Sequence, residues 1–300
     1  MSLFSALTAS AQSLLAFQQS LDVVQNNINN ASTPGFARQR QPLLAKLFQP
    51  EQGVAGGVET GARQSLRNDF AEVSVRRQTS ALGRSDQLAT TLSGLEAHFD
   101  ATGETGIPKA LSELFAAFSS LSINPNASTA RQTVLDQAAQ LAVSFNTAAQ
   151  SLSIQHAESF REVGSIVDRV NQLVARIRDF NVQSRSTGGQ DAGVEAQLYA
   201  SLEELSELVD FTALRQTDGT ITLLLGGQSG LLIGDRQYNL QADFSTGSAR
   251  LLDPQGVDVT AQLNGGRLSG AIHAANVLIP GYLSELNQLA ASLADTVNST

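Results

Sequence analysis

The sequence predicts a mainly α fold with a small β part: a long helical rod or coiled-coil bundle carrying a β-rich insert. Three observations carry that expectation. An apolar heptad runs along the N-terminus for about four heptads. A helical periodicity persists from Thr129 to Phe180, about 52 residues, which is longer than an ordinary globular helix. After Phe211 the texture changes to short apolar runs separated by Gly, Asp and Pro.

Composition narrows the classes. The 300 residues are 42% hydrophobic but only 5% aromatic, with no tryptophan. Ala, Ser, Gly, Thr, Gln and Asn are abundant, which suits narrow helix–helix seams more than one thick core. The net charge of −9 argues against a nucleic-acid partner, because phosphate binding needs a basic face. With no cysteine there are no disulfides, thiolate nucleophiles or Cys-type metal sites. Residues 1–37 hold one charge, Asp22, and Ser and Gln interrupt every apolar run, so a cleaved signal peptide is not expected. No stretch reaches the ~20 apolar residues of a membrane span, and no membrane insertion is expected.

Leu3, Leu7, Ser10, Leu14, Phe17, Leu21, Val24 and Ile28 alternate spacings of four and three, a strict a/d seam. The remaining positions are mostly Ser, Thr, Gln, Asn and Ala, with Asp22 the one charge. An ordinary two-stranded coil would place charges at e and g, so this helix is expected to be covered by protein on several sides. It runs into NNINNASTPGFARQR at 26–40. The asparagines favour turns, Pro34 disfavours helix at Thr33, and Gly35 permits positive φ. From Pro34 to Arg63, pieces such as LLAKLF and GGVET read as an extended or β connector.

Helical periodicity resumes near Leu66 and runs to Phe99, with Leu88, Leu92 and Leu95 on its seam. Ile107, Leu111, Leu114, Phe118 and Leu121 give a short helix ended by INPN. The longest helix follows, with Thr129 and Gln132 spaced as a capping box. STGGQDAG breaks it, and Val194, Leu198, Leu202, Leu205 and Val209 form another. Asp218-Gly219 between strand-like runs signals a hairpin. LLIGD, YNLQADF, ARLLD and VDVT read as further short strands. RLSGAIHAANVL returns to helix, and Pro280 is expected to reset it before Tyr282, Leu286, Leu289, Leu293 and Val297. The expected organisation is a terminal coiled-coil helix (1–33), an extended connector (34–65), a long-helix bundle (66–210), a small β-rich region (211–270) and a helix returning to the bundle (271–300).

Candidate chemistry is sparse. ATGETGIPKALS at 101–112 fails as a phosphate loop: Pro108 has no N–H, Ala110 follows Lys109, and no strand precedes it. Gly226, Gly227 and Gly230 are not followed by a helix pattern, so they read as a β-turn rather than a dinucleotide fingerprint. His98, His156 and His273 are scattered singly, without metal-ligand spacing. Glu203, Glu204 and Glu207 read as a solvated helix face. No catalytic, cofactor-binding or metal residue is expected, and the chain is expected not to be an enzyme.

At Asn26, Asn27, Ile28, Asn30, Thr33, Pro34, Gly35 and Phe36 the chain resembles the A-N-N-I-A-N-x-x-T-P-G-Y/F run of bacterial flagellar axial proteins. A second stretch narrows the resemblance to the hook-associated branch of that family. It is carried by Leu114, Phe118, Leu121, Pro125, Arg131, Val134, Leu135, Ala138, Leu141 and Phe145. IVDRVNQLVARIRDFN at 166–181 and IPGYLSELNQLAASLADTVN at 279–298 resemble two further helical segments of it. The family usually carries a run like N-D-L-x-D-x-R-D before its β region, where this chain has AQLYASLEELSELVD.

The resemblance implies a structural subunit of the junction between flagellar hook and filament, exported by the type III route without cleavage and located outside the cell. Its implied partners are other copies in a ring and neighbouring axial subunits, and an export chaperone is compatible with it. In that family the N-terminal helix pairs with a C-terminal helix around the polymer's inner tube. Up to Thr300 there is no second heptad of that kind, so the sequence is expected to be an N-terminal portion of a longer subunit. The assembly seam is then Leu3, Leu7, Leu14, Phe17, Leu21, Val24 and Ile28. The hinge that redirects the chain is Asn26, Asn27, Asn30, Thr33, Pro34, Gly35 and Phe36. Two other readings compete: another axial subunit of hook or rod type, whose outer domains are mainly β in that family, and an extracellular adhesin-like protein using the β region.

Overall fold

The computed structural model describes residues 3–52, 54–96, 104–187 and 192–299. The fold is mainly helical with small antiparallel sheets. The first helix, α1, spans Leu3–Asn29. It runs through Asn26, Asn27 and Asn29, so the asparagine cluster does not stop it. The chain then forms one long hairpin. β1 (Gln39–Arg40), β2 (Leu43–Ala45) and β3 (Phe48–Gln49) lead out, and β4 (Val54–Ala55), β5 (Val58–Thr60) and β6 (Gln64–Ser65) return. The pairs are β1·β6, β2·β5 and β3·β4, all antiparallel.

α2 spans Asp69–Glu96, starting three residues after the periodicity does, because Asn68 caps it. The Asn68 Oδ1 accepts the N–H groups of Phe70 and Ala71 at 3.1 and 3.2 Å. The expected seam residue Phe99, like His98, lies outside the described residues. α3 (Gly106–Ile123) folds back against α4 (Ser128–Thr187). At 60 residues α4 is about 90 Å long. The expected capping box does not form. Thr129 and Gln132 both lie inside the helix, where Thr129 O accepts the Thr133 hydroxyl and Gln132 Nε2 donates to Asp136. The corner is closed instead by Arg131, whose Nε and Nη2 donate to Pro125 O at 3.1 and 2.9 Å.

α5 (Ala192–Leu208) leads into a four-stranded sheet: β7 (Phe211–Arg215), β8 (Ile221–Leu225), β9 (Ser229–Ile233) and β10 (Arg236–Gln237). It is an antiparallel meander in spatial order β10-β9-β8-β7. Gly226 and Gly227 turn β8 into β9 with φ of +52° and +76°, a left-handed pair that side chains resist. β11 (Gln241–Asp243) pairs with β12 (Arg250–Leu252). VDVT does not become a strand: only Asp258 bridges back to Leu252 before a short 3-10 turn at Thr260–Gln262.

The last helical run comprises α6 (Gly266–His273), a π-turn (Ala274–Leu278) and α7 (Ile279–Ser299). Pro280 therefore does not reset it. Ile279 N–H already bonds Ala274 O, the i−5 register. Continuing that register, Pro280 would owe a donor to Ala275 O. The His156 ring supplies it, its Nε2 lying 2.9 Å from that oxygen.

Two hydrophobic cores lie along α4. The larger joins Val163, Val167, Val170, Leu173 and Ile177 of α4 to α5, α6 and the sheet residues Leu223, Leu225, Leu231 and Leu232. The smaller joins Leu141, Phe145 and Leu152 of α4 to Leu95, Leu114, Ile279 and Leu286.

The strands reach the helices through asparagine side chains. Asn181 donates Nδ2–H to Ile221 O and accepts Ile221 N–H, each at 2.8 Å, and also donates to Gly234 O at 2.5 Å. Asn171 binds Leu240 both ways at 2.9 Å. Asn276, in the π-turn, binds Ala249 at 2.7 and 2.9 Å. Each amide completes a ladder where the neighbouring strand has fallen away. Replacing Asn181 by Leu orphans these buried backbone groups, and should cost about 3 kcal/mol by denaturant titration. A loss under about 0.5 kcal/mol would show that water satisfies them instead.

Candidate assembly interface and hinge

Helix α1 has two faces of opposite character. Ser5, Ala9, Ser13, Ala16, Ser20, Val23 and Asn27 form one stripe, and it turns toward the hairpin. Its small side chains let strand backbone approach closely. The hydroxyl of Ser13 accepts the Val58 N–H at 3.1 Å, and Gly57 sits against Ser13 and Ala9. Lys46 Nζ donates to Gln12 Oε1 at 3.0 Å, and Thr60 Oγ1 donates to Gln19 Oε1 at 2.8 Å. Ala16 and Val23 are the buried residues of this helix.

The predicted seam lies on the other face. Leu3, Leu7, Leu14, Phe17, Leu21, Val24 and Ile28 are all exposed, from 49% at Phe17 to 91% at Leu3. Phe4 and Leu15 beside them are exposed too. The expected covering on several sides is thus not supplied by the described residues. The hairpin takes the small-residue stripe and leaves the apolar heptad open.

The hinge residues are brought together at the end of α1. Asn26 Oδ1 accepts from Asn30 Nδ2 at 2.7 Å, and Thr33 Oγ1 donates to Asn30 Oδ1 at 3.2 Å. Asn27 makes the same two-way amide clamp as the asparagines above, on Gln39 N–H and C=O, both at 2.8 Å. Thr33-Pro34-Gly35-Phe36 is a type II turn: Phe36 N–H bonds Thr33 O at 3.1 Å and Gly35 has φ +73°. A side chain at Gly35 would also collide with Ala196 O and come 2.8 Å from Ala200 N. The turn therefore rests directly on the backbone of α5.

Residues with no signal in the seam or hinge patterns complete this joint. Leu66 N–H bonds Arg38 O at 2.9 Å, tying the outgoing and returning chains together. Arg67 donates to Gly35 O, pairs with Glu72, and lays its guanidinium 3.6 Å over the Tyr199 ring. Tyr199, Ala196 and Ala200 belong to the segment AQLYASLEELSELVD at 196–210. That segment forms the platform for the turn. Burial pushes the Tyr199 phenol above its usual range and Asp69 adds to the shift, against the pull of Arg215 and Arg67.

Among the described residues no group of three His, Cys, Asp or Glu side chains could hold a metal ion. No described helix is long and apolar enough to cross a membrane. A cleft of about 940 Å³ between α2, α3, α4 and α7 is lined mainly by Leu92, Leu95, Val143, Leu286 and Leu289, with Glu96 and Glu285 as its charged groups. His156 is committed to Ala275 O and stacks near Phe160.

An open apolar heptad at the N-terminus, a Pro-Gly turn and a rod with two cores define a class of elongated, mainly helical proteins. The comparisons specify it. The helical domain of flagellar hook-associated protein FlgK matches residues 92–300, and the flagella basal body rod protein family matches residues 5–36. The chain belongs to the FlgK hook-associated family. It is 27% identical over 243 residues to flagellar hook-associated protein 1 of Bacillus subtilis (strain 168), covering 74% of this chain and 48% of that protein. It is 25% identical over 302 residues to the Salmonella typhimurium protein of that name, covering 95% of this chain and 54% of that one. The chain thus spans about half the length of these relatives. Its fold is similar to that of the flagellar hook junction protein FlgK from Burkholderia pseudomallei, with TM-score 0.57 and 20% identity over 68% of this chain and 38% of that one.

Two outcomes test the joint. Gly35→Ala meets both an unfavourable φ and the Ala196 carbonyl, so hydrogen exchange across 33–38 should accelerate at least about tenfold while the larger core keeps its protection. The second concerns Tyr199. Its raised pKa favours the neutral phenol in the folded state, so this contribution is intact below the ordinary tyrosine value near 10 and is lost as pH rises through the folded value. A tyrosinate absorbance titration should show a late phenol that Tyr199→Phe removes.

Proposed function

We propose that this chain is the N-terminal portion of a structural subunit that forms the hook–filament junction by self-assembly through its terminal helices. One observation carries the reading: the heptad seam of α1 is apolar, uncharged and open, while the opposite stripe is already satisfied by the hairpin. A chain that leaves seven large side chains of one heptad in water is complementary to another helix of the same kind. Leu3, Leu7, Leu14, Phe17, Leu21, Val24 and Ile28 are the assembly interface. Asn26, Asn27, Asn30, Thr33, Pro34, Gly35 and Phe36 are the hinge that sets where the body leaves the inner helix.

The partners on this reading are other copies in a ring and the neighbouring axial subunits of hook and filament, with an export chaperone before assembly. The location is the flagellum outside the cell, reached without a cleaved signal peptide. The role is mechanical rather than enzymatic, as the names of the similar proteins suggest. The segments 1–33, 34–65, 66–210, 211–270 and 271–300 act as helix, connector, bundle, β region and returning helix.

The test keeps the fold and spoils the seam. Leu14→Gln with Leu21→Gln changes two exposed positions, so circular dichroism and melting of the purified chain should stay as they were. In the source bacterium the full-length protein carrying both changes should still be exported but fail to incorporate between hook and filament, abolishing swimming. Normal motility with both substitutions would sink the proposal.

A further inference from the structure

The inner unit, α1 with its hairpin, packs on itself: α1 lies against β1, β4 and β5 and has no extensive face against a body helix. The chain passes from this unit to the rod along the returning strand of residues 66–68, and the outgoing loop of residues 30–38, which links α1 to the hairpin, is held beside it by Leu66 N–H on Arg38 O. A neck of one covalent crossing would pivot freely if nothing else held it. One side chain joins the elements that meet there. Arg67 sits on the returning strand, with its side chain only 9% exposed. It donates to Gly35 O on the outgoing strand, pairs with Glu72 on α2, and stacks 3.6 Å over Tyr199 on α5. Tyr199 in turn directs its hydroxyl to Asp69 at the start of α2, 3.5 Å away.

We propose that Arg67 is a latch that fixes the orientation of the α1–hairpin unit on the helical rod, with Tyr199 as its seat and Gly35 O as its catch. The division of labour follows from the geometry. Gly35 lets the turn touch α5, but contact alone leaves rotation about the neck open. The guanidinium removes that freedom, because its planar fork engages a carbonyl and a carboxylate while its face lies on the ring. Lysine carries the charge without the plane, so it cannot substitute. With the latch closed, the apolar seam is presented at one angle to the rod. With it open, the seam samples many angles, and every later contact must first select one.

The chain has no cysteine, so two labels can be placed at chosen positions with no background thiol to remove. Spin labels at Gln18→Cys in α1 and Glu203→Cys in α5, both exposed positions, report the angle as a distance distribution. The labelled chain should give one narrow distribution. Arg67→Lys and Arg67→Ala should each roughly double its width. Melting followed by circular dichroism, dominated by the rod, should change little, and that control separates an open latch from a misfolded body. A distribution that stays narrow in both variants, or one already broad with Arg67 present, overturns the proposal. The measurement uses the isolated chain, so it stands or falls separately from incorporation into the flagellum.

Discussion

The shape of this molecule depends on a carboxamide matching a peptide group. Strands of two to five residues are too short to hold together by their own ladders. Here Asn27, Asn171, Asn181 and Asn276 project from helical backbone and pair both ways with Gln39, Leu240, Ile221 and Ala249. Each amide offers one donor and one acceptor in the spacing a neighbouring strand would offer. The β segments are thus docked by polar groups at defined points, and apolar burial then follows at Leu223, Leu225 and Leu251. At the N-terminus that second step is small, confined on the helix to Ala16 and Val23. The hairpin is held on α1 by Asn27, Ser13, Gln12 and Gln19, and the apolar side chains of the helix are left over for something else.

The sequence conveyed periods and punctuation well. The heptad of α1, the length of α4, the Asp218-Gly219 hairpin and the Thr33–Phe36 turn all follow from local rules, since each is decided by residues a few positions apart. What it did not convey were partners far along the chain. Asn27 looked like part of a helix stop because its mate, Gln39, lies across a turn. Pro280 looked like a helix break because the substitute donor, His156, is 119 residues away. Arg67 carried no pattern at all: its contacts lie on residues 35, 72 and 199, three elements that only the tertiary fold brings together. The open seam is the intermediate case. Its composition was legible, but whether the chain itself would cover it was a tertiary question.

The same separation explains how one helix can hold the fold and still leave an apolar surface open. Helical positions repeat every three or four residues, so a stripe of Ser and Ala can sit one step from a stripe of Leu. Small polar residues bring strand backbone close and satisfy its N–H groups locally. Large apolar residues would have held the hairpin further off and been consumed by it. By giving the intrachain contact to the small stripe, the sequence keeps its strongest apolar surface free.

On the assembly role proposed for that surface, the magnitudes say which regime suits it. Burying the seven open seam residues would contribute roughly 1–2 kcal/mol each, or about 7–14 kcal/mol together. Association of two molecules costs roughly 4–15 kcal/mol in lost freedom before any gain appears. One seam meeting one helix is therefore close to balance, and a lone pair of subunits gains little. A subunit arriving where several helices already stand gains the same apolar burial on more than one side, with Phe4 and Leu15 added, while losing its freedom once. Growth at an existing end is favoured over association in solution by that difference. An open, uncharged heptad on a polar-docked helix is suited to that regime, in which subunits stay apart until a template collects them.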